Sequence, residues 1–237
     1  MNSNFTGYGM DPDCVILTGG TIDPDFARDF LDLQKNGRDA GSASRSLPGI
    51  IAADRGLAVC TALGLKPDII VGDFDSAPEG LFSYWEKQPD VLLKRFPPEK
   101  DWTGTELALK EALAAGWKQI VILGAFGSRI DHVLGNVQLL PVALSHGASV
   151  VLLDEKNRIT LHQKPFRILR KEQWGTYVSL FAFGGDVTGL CLEGFKYGLT
   201  DAVLRPFGAL AVSNEIIAEE VSVSFLDGLL LTAETRD

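Results

Sequence analysis

The first two thirds of the chain alternate between short apolar runs and segments of helical character. The runs are Cys14 to Leu17, Gly49 to Ala53, Asp68 to Val71, Val91 to Leu93, Gln119 to Leu123 and Ser149 to Leu153. They are short, rich in Val and Ile, and closed by glycine or charged residues, as buried strands are. Between them lie predicted helices over Asp25 to Gln34, Gly56 to Leu63, Pro78 to Lys87, Gly104 to Ala115 and His132 to Ser145. Strand and helix in strict alternation leave few solutions. The strands must run mainly parallel, because each is followed by a crossover helix, and the helices cover both faces of the sheet in a Rossmann-like arrangement. In such sheets a ligand lies beyond the carboxyl ends of the strands.

After about Asp154 the pattern changes. Tyr177-Val178-Ser179-Leu180-Phe181 and Val221-Ser222-Val223-Ser224-Phe225 alternate with period two, as half-buried strands do, and Gly184-Gly185-Asp186, Gly189, Gly194, Gly198 and Asp227-Gly228 supply turns. This predicts a smaller all-β sandwich domain. The expected division is an α/β domain over residues 1–154 and a β domain over 155–237.

Bulk properties narrow the function. The chain has 237 residues and a formal net charge of −9, which argues against nucleic acid or an anionic membrane as partner. Cys14, Cys60 and Cys191 form no C-x-x-C pair, and His132, His146 and His162 have no zinc-ligand spacing. No apolar stretch is long enough to span a bilayer, and Met1-Asn2-Ser3-Asn4 lacks the basic and apolar regions of a signal peptide, so a cytoplasmic location is expected. The P-loop pattern, a clean G-x-G-x-x-G after the first strand and the G-x-S-x-G elbow are all missing.

The strand ends carry the chemistry. The third run reads Asp68-Ile69-Ile70-Val71-Gly72-Asp73-Phe74-Asp75-Ser76. In extended chain Asp73 and Asp75 point to the same side. Their carboxylates either build an Asx turn or share a hard cation such as Mg²⁺, usually with phosphate oxygens. The first run ends in Thr18-Gly19-Gly20, the second in Asp54-Arg55-Gly56 and the fifth in Gly124-Ala125-Phe126-Gly127-Ser128-Arg129-Ile130-Asp131-His132. A parallel sheet brings all these ends to one edge, where Asp54, Asp73 and Asp75 can share a metal and Arg129 can bind phosphate. Helix capping competes for Asp54 and Asp131, a surface ion pair for Arg129, and Thr103-Gly104-Thr105-Glu106 fits a capping box.

These residues, in this order, resemble the thiamine pyrophosphokinase family. Ala53-Asp54-Arg55-Gly56 looks like its first acidic motif and Gly72-Asp73-Phe74-Asp75-Ser76 like its signature. Lys100-Asp101-Trp102-Thr103-Gly104-Thr105-Glu106 is similar to its K-D-x-T-D element, and the run from Gly124 to His132 to its glycine-rich element. Gly194 to Leu199 and Ser213-Asn214-Glu215 resemble its substrate-side motifs. The resemblance implies a homodimer that transfers pyrophosphate from ATP to the hydroxyl of thiamine and releases AMP. It places thiamine at the dimer interface. It implies that Asp54, Asp73, Asp75 and Asp101 hold Mg²⁺ and ATP, that Lys100, Gly127 and Arg129 serve the phosphates, and that Arg129 and Asp131 lie near the join of the ATP and thiamine sites. Ser213 and Asn214 would hold thiamine from the partner chain. A non-catalytic thiamine or nucleotide sensor, or a diphosphokinase for another hydroxylated heterocycle, are the alternatives. The chain departs from the family pattern at Gly104, where an aspartate is usual, and at Ser128, which replaces a glycine. The first change is expected to weaken the metal site or shift its load to Asp101. The second matters only if φ there is positive.

Overall fold

Strands buried on both faces read as unbroken apolar runs, and those runs form the centre of the fold. The structure, a computed structural model, describes residues 10–39, 48–73, 80–97 and 101–237. It contains two compact units, one spanning Asp11–Glu155 and one including Lys156–Asp237. In the α/β unit, β1 (Cys14–Leu17), β2 (Gly49–Ala53), β3 (Ile69–Gly72), β4 (Leu92–Arg95), β5 (Gln119–Leu123) and β6 (Ser149–Leu153) form a sheet of order β4-β3-β2-β1-β5-β6. Every neighbouring pair is parallel. Every residue of β1 and β3 is buried, whereas β4, at the edge, carries Lys94 and Arg95 and buries none of its four residues. Polar residues on an edge strand discourage pairing with a further chain.

The helices are α1 (Pro24–Asp39), α2 (Gly56–Ala62), α3 (Leu81–Glu86), α4 (Gly104–Ala114), α5 (Ile130–Gln138) and α6 (Leu140–Ser145). Asp23 starts α1 by accepting the Phe26 amide at 2.7 Å, and Pro24 occupies its first position, where no amide is needed. Phe26, Ala27, Phe30 and Leu31 are buried at i, i+1, i+4 and i+5, the apolar stripe that a packed helix needs. The single helix expected over His132 to Ser145 is two. Pro141 cannot donate to the carbonyl four residues back, and the Leu139 amide turns to the Asn136 carbonyl at 3.2 Å, so the ladder breaks between α5 and α6. Among the described residues no helix is long and apolar enough to cross a membrane.

The second unit is β-rich. It contains β7 (Asn157–His162), β8 (Phe166–Leu169), β9 (Tyr177–Glu193), β10 (Leu199–Leu204), β11 (Glu220–Ser224) and β12 (Asp227–Thr235). The first part of β9 pairs antiparallel with β12, and its last part pairs with β10 and β11. The change of partner falls around Gly184, whose φ of 73° few other residues adopt. Val178 and Leu180 from the first part and Leu190 and Leu192 from the last part enter one core with Val221, Val223 and Leu230. A buried pair ties the strand ends. Arg158 donates through Nε to Glu234 Oε1 at 2.7 Å and through a terminal nitrogen to the Glu172 carbonyl at 3.1 Å, while Glu234 Oε2 accepts the Trp174 amide at 3.0 Å. Each charge is thereby hydrogen-bonded as well as paired, the condition under which burying a salt bridge is tolerable.

His162 stacks on Phe166, ring centroids 3.8 Å apart, and its Nε2 lies 2.8 Å from Thr160 Oγ1. Burial, reinforced by the nearby charge of Arg158, pushes its pKa from 6.5 down to about 4. The unfolded chain therefore takes up a proton before the folded one does. The stability that neutral His162 contributes is present above pH 6.5 and is lost as the pH falls toward 4. Melting temperatures measured across this window are expected to fall with pH in the native protein, and to fall less steeply in the His162→Gln variant.

Candidate active site

The strand order reverses at β1. Successive strands move outward on one side of it through β2, β3 and β4, then resume on the other side with β5 and β6. The loops leaving β1 and β5 part there and leave a crevice at the carboxyl edge. Backbone hydrogen bonds carry the β1–β5 pairing past the strands. The Thr18 amide donates to Leu123 O at 3.0 Å, Gly20 to Gly124 O at 3.0 Å and Thr21 to Phe126 O at 2.7 Å. A β-carbon on Gly20 would overlap the carbonyl oxygens of both Gly124 and Phe126, so this seam closes only with glycine. Gly124 has φ 79° and turns the chain away from β5.

Above the seam is a cleft of about 530 Å³. Thr18 to Thr21 and Gly124 to Arg129 line one part of it, and Asp54, Arg55, Asp73 and Thr103 to Thr105 the other. Two buried hydrogen bonds fix its floor. Thr18 Oγ1 lies 2.7 Å from Thr105 Oγ1, joining the end of β1 to α4, and Asn136 Nδ2 donates to Ala125 O at 2.7 Å, joining α5 to the loop after β5.

The carboxylates come from adjacent strands, since Ala53 of β2 pairs with Val71 of β3. Asp54 follows directly with φ 50°, its amide donating to Val71 O at 3.1 Å and its carbonyl accepting from Leu57 at 3.2 Å. The N-cap of α2 is Arg55, which has no side-chain cap bond. Thr103 does cap α4, accepting the Glu106 amide at 3.1 Å. Residues at the N-termini of α4 and α5 line the cleft, so unpaired first-turn amides and the helix dipoles favour an anion there.

Two arginines, Arg55 and Arg129, line the cleft, and Arg129 forms a fork with a neighbouring carboxylate. Its Nε donates to Asp131 Oδ1 at 3.2 Å and its terminal nitrogen to Oδ2 at 2.5 Å, a bidentate fork on an exposed pair. These hydrogen bonds hold the Asp131 carboxyl below its ordinary pKa and raise that of Arg129. Asp131 does not cap α5, whose N-cap is Arg129. It stands in the first turn, exposed, and outside the cleft lining.

Of the residues singled out from sequence, Asp54, Asp73, Gly127 and Arg129 share the cleft. Asp75 and Lys100 lie outside the described residues. Asp101 is exposed in the bend before Thr103 and does not line the cleft. Among the described residues no three His, Cys, Asp or Glu side chains group as a metal site. Ser128 lines the cleft without a positive φ, so serine fits there unstrained. Thr105 and Asn136 were missed. The available signal for Asn136 was a polar residue on the inward face of an amphipathic helix, one turn after His132.

In the β unit Ser213 has φ 56°, is exposed, and donates its amide to Ser179 Oγ at 2.9 Å. Asn214 is buried. Its Oδ1 accepts the Tyr197 and Glu215 amides at 3.0 and 2.9 Å, and its Nδ2 donates to Tyr197 O at 2.8 Å. This side chain latches two loops together and thereby fixes the strained turn at Ser213.

Two family models match the chain. One, "Thiamin pyrophosphokinase, catalytic domain", covers residues 43–152, and the other, "Thiamin pyrophosphokinase, vitamin B1 binding domain", covers residues 165–230. Thiamine pyrophosphokinase of Bacillus subtilis (strain 168) is 33% identical over 187 residues, 79% of this chain and 87% of that protein.

The chain belongs to the thiamine pyrophosphokinase family. A crystal structure of thiamine pyrophosphokinase from Bacillus subtilis aligns over 94% of this chain and 99% of that one, with TM-score 0.79 and 29% identity. Thiamin pyrophosphokinase from Candida albicans, at 18% identity, shares the fold with TM-score 0.71 over 94% of this chain and 89% of that one. The catalytic-domain match includes Asp54, Asp73, Gly104, Arg129 and Asn136, and the vitamin B1 match includes Ser213 and Asn214.

The seam gives a direct test. Gly20→Ala is expected to lower unfolding free energy by about 1–3 kcal/mol in urea titration, because the added carbon meets two carbonyl oxygens that cannot both retreat.

Proposed function

We propose that the cleft binds ATP with Mg²⁺ and that this chain transfers pyrophosphate from ATP to the hydroxyl of thiamine, giving thiamine diphosphate and AMP. The observation that carries this reading is a convergence. Two strand-end carboxylates, two guanidinium groups and two helix N-termini meet in one cleft at the reversal of a parallel sheet, in a member of this family.

The donor set suits the metal. Asp54 and Asp73 are hard oxygen donors, and Mg²⁺ on a nucleotide is commonly held by one or two carboxylates together with phosphates and water. Asp75 and Asp101 are proposed to support them. When bound, the ion neutralises charge on the phosphate oxygens and on the departing AMP.

The remaining work falls to the chain. Gly20, Gly124 and Gly127 admit the phosphates close to the backbone, and the α4 and α5 N-termini favour their charge. Arg129, with Lys100, stabilises the transferring group. The thiamine oxygen attacks the β-phosphorus, the bond from that phosphorus to the α–β bridging oxygen breaks, and AMP leaves. Asp131, held below its ordinary pKa by its fork with Arg129, is a weak base suited to orienting the hydroxyl, whose proton passes to solvent as the oxygen attacks.

The finer architecture follows the same reading. Right-handed crossovers on either side of β1 put helices on both faces of a Rossmann-like sheet, and the shared core of the β unit suits a sandwich. The protein works as a cytoplasmic homodimer, a setting that fits its three free cysteines. Thiamine binds at the dimer interface against Ser213 of the partner subunit, in the turn that buried Asn214 holds. Exposed Phe207, Leu210 and Val212 beside that turn support an interface there.

Incubation with Mg-ATP and thiamine is expected to yield AMP and thiamine diphosphate in equal amounts. Thiamine binding without AMP would contradict the reading, as would AMP formed only with another alcohol. Asp73→Asn is expected to lower kcat on the order of 100-fold with little change in melting temperature. Near-native turnover would remove Asp73 from the metal site.

A further inference from the structure

Gly104 opens α4 and is buried at the cleft wall. A β-carbon built on it would overlap Oδ2 of Asp54, lie 2.6 Å from its Cγ and 3.1 Å from its Oδ1. These three nearest atoms all belong to one carboxyl group. The backbone supplies no reason for glycine. Residue 104 lies in the helix, its φ is not positive, and alanine is the better helix former. Asp54 has little freedom to move away. Its φ of 50° is sparsely allowed for a residue with a side chain, and both its amide and its carbonyl are engaged. Its carboxylate can leave the α-carbon of residue 104 only by rotating about its own side-chain bonds.

We infer that Gly104 is a positioning residue: the missing side chain forms the seat that holds the Asp54 carboxylate against the N-terminus of α4. There the helix dipole favours a negative charge, and the carboxylate faces the cleft it shares with Asp73. Atoms added at residue 104 drive the carboxylate out of that seat. The contribution of residue 104 thus passes entirely through Asp54. The inference rests on the proposed Mg²⁺-nucleotide reading and adds to it the residue that sets where one donor sits.

The test is a double-mutant cycle. Mn²⁺ serves as the probe, its free concentration followed by electron paramagnetic resonance in the presence of a non-hydrolysable ATP analogue. Native protein, Gly104→Ala, Asp54→Ala and the double variant are compared. Gly104→Ala is expected to weaken Mn²⁺ binding about tenfold, the lower end for residues that orient a metal ligand. On the Asp54→Ala background it is expected to cost nothing. A Gly104→Ala titration that superimposes on the native one overturns the inference, as does an equal loss on both backgrounds. If Gly104→Ala alone does not fold, the double variant decides. A folded double variant, its clash relieved, supports the inference, and an unfolded one overturns it. Native protein that binds Mn²⁺ and nucleotide while the variants behave additively refutes this inference alone. Native protein that forms no such complex refutes it together with the functional reading beneath it.

Discussion

The loops that leave β1 and β5 are hydrogen-bonded to each other, and the rest of the cleft depends on that seam. Parallel strands on either side of an order reversal would by themselves leave only a gap. The bonds from Thr18, Gly20 and Thr21 to Leu123, Gly124 and Phe126 turn the gap into a floor. The closeness of the two backbones demands glycine at residue 20, and a turn with positive φ demands it at residue 124. With the floor fixed, the Thr18–Thr105 and Asn136–Ala125 bonds place α4 and α5 so that both helix starts border the cleft.

The site divides its charges by origin. Its carboxylates come from strand ends, where the backbone is held by the sheet, and one of its two arginines, Arg129, comes from the start of a helix, in an exposed fork with Asp131. A rigid donor pair suits a metal ion, whose ligands must stay in place. A solvated guanidinium suits a phosphate group that moves during transfer. The exposed Arg129–Asp131 pair contributes little to stability, and its value lies in the orientation of the fork. In the β unit Asn214 works in a similar indirect way. It spends its hydrogen bonds on Tyr197 and Glu215, and it leaves the neighbouring Ser213 exposed in a conformation few serines adopt.

The α/β unit was legible in the sequence because burial on both faces gives each strand an uninterrupted apolar run. β1, β2, β5 and β6 occupy the expected runs residue for residue. The β unit was harder to read. Its β12 contains Leu229-Leu230-Leu231, without alternation, because Leu230 is buried on one face and Leu229 and Leu231 are half-buried on the other. In β9 the Gly184-Gly185 pair read as a turn, although the chain stays in the sheet and changes partners there. Helical periodicity ran through Pro141 and concealed the break between α5 and α6. At the site, spacing singled out Asp54, Asp73 and Arg129, which share the cleft, and read the Thr103 cap correctly, but left capping open for Asp54 and Asp131, where the N-caps are Arg55 and Arg129. Caps depend on local dihedral angles, and the φ of 50° at Asp54 has no sequence signature. Gly104 read as a lost carboxylate. The geometry shows a space filled by the carboxylate of Asp54, a relation between residues fifty positions apart that one sequence cannot display.

The account stands or falls on where the phosphates lie. A crystal structure of the protein with Mg²⁺, thiamine and a non-hydrolysable ATP analogue locates them directly. The account predicts the β- and γ-phosphates above the Gly20–Gly124 seam, with Asp54 and Asp73 on the metal side and Arg129 across from them. Phosphates bound away from this cleft, or a metal held without either aspartate, would contradict it.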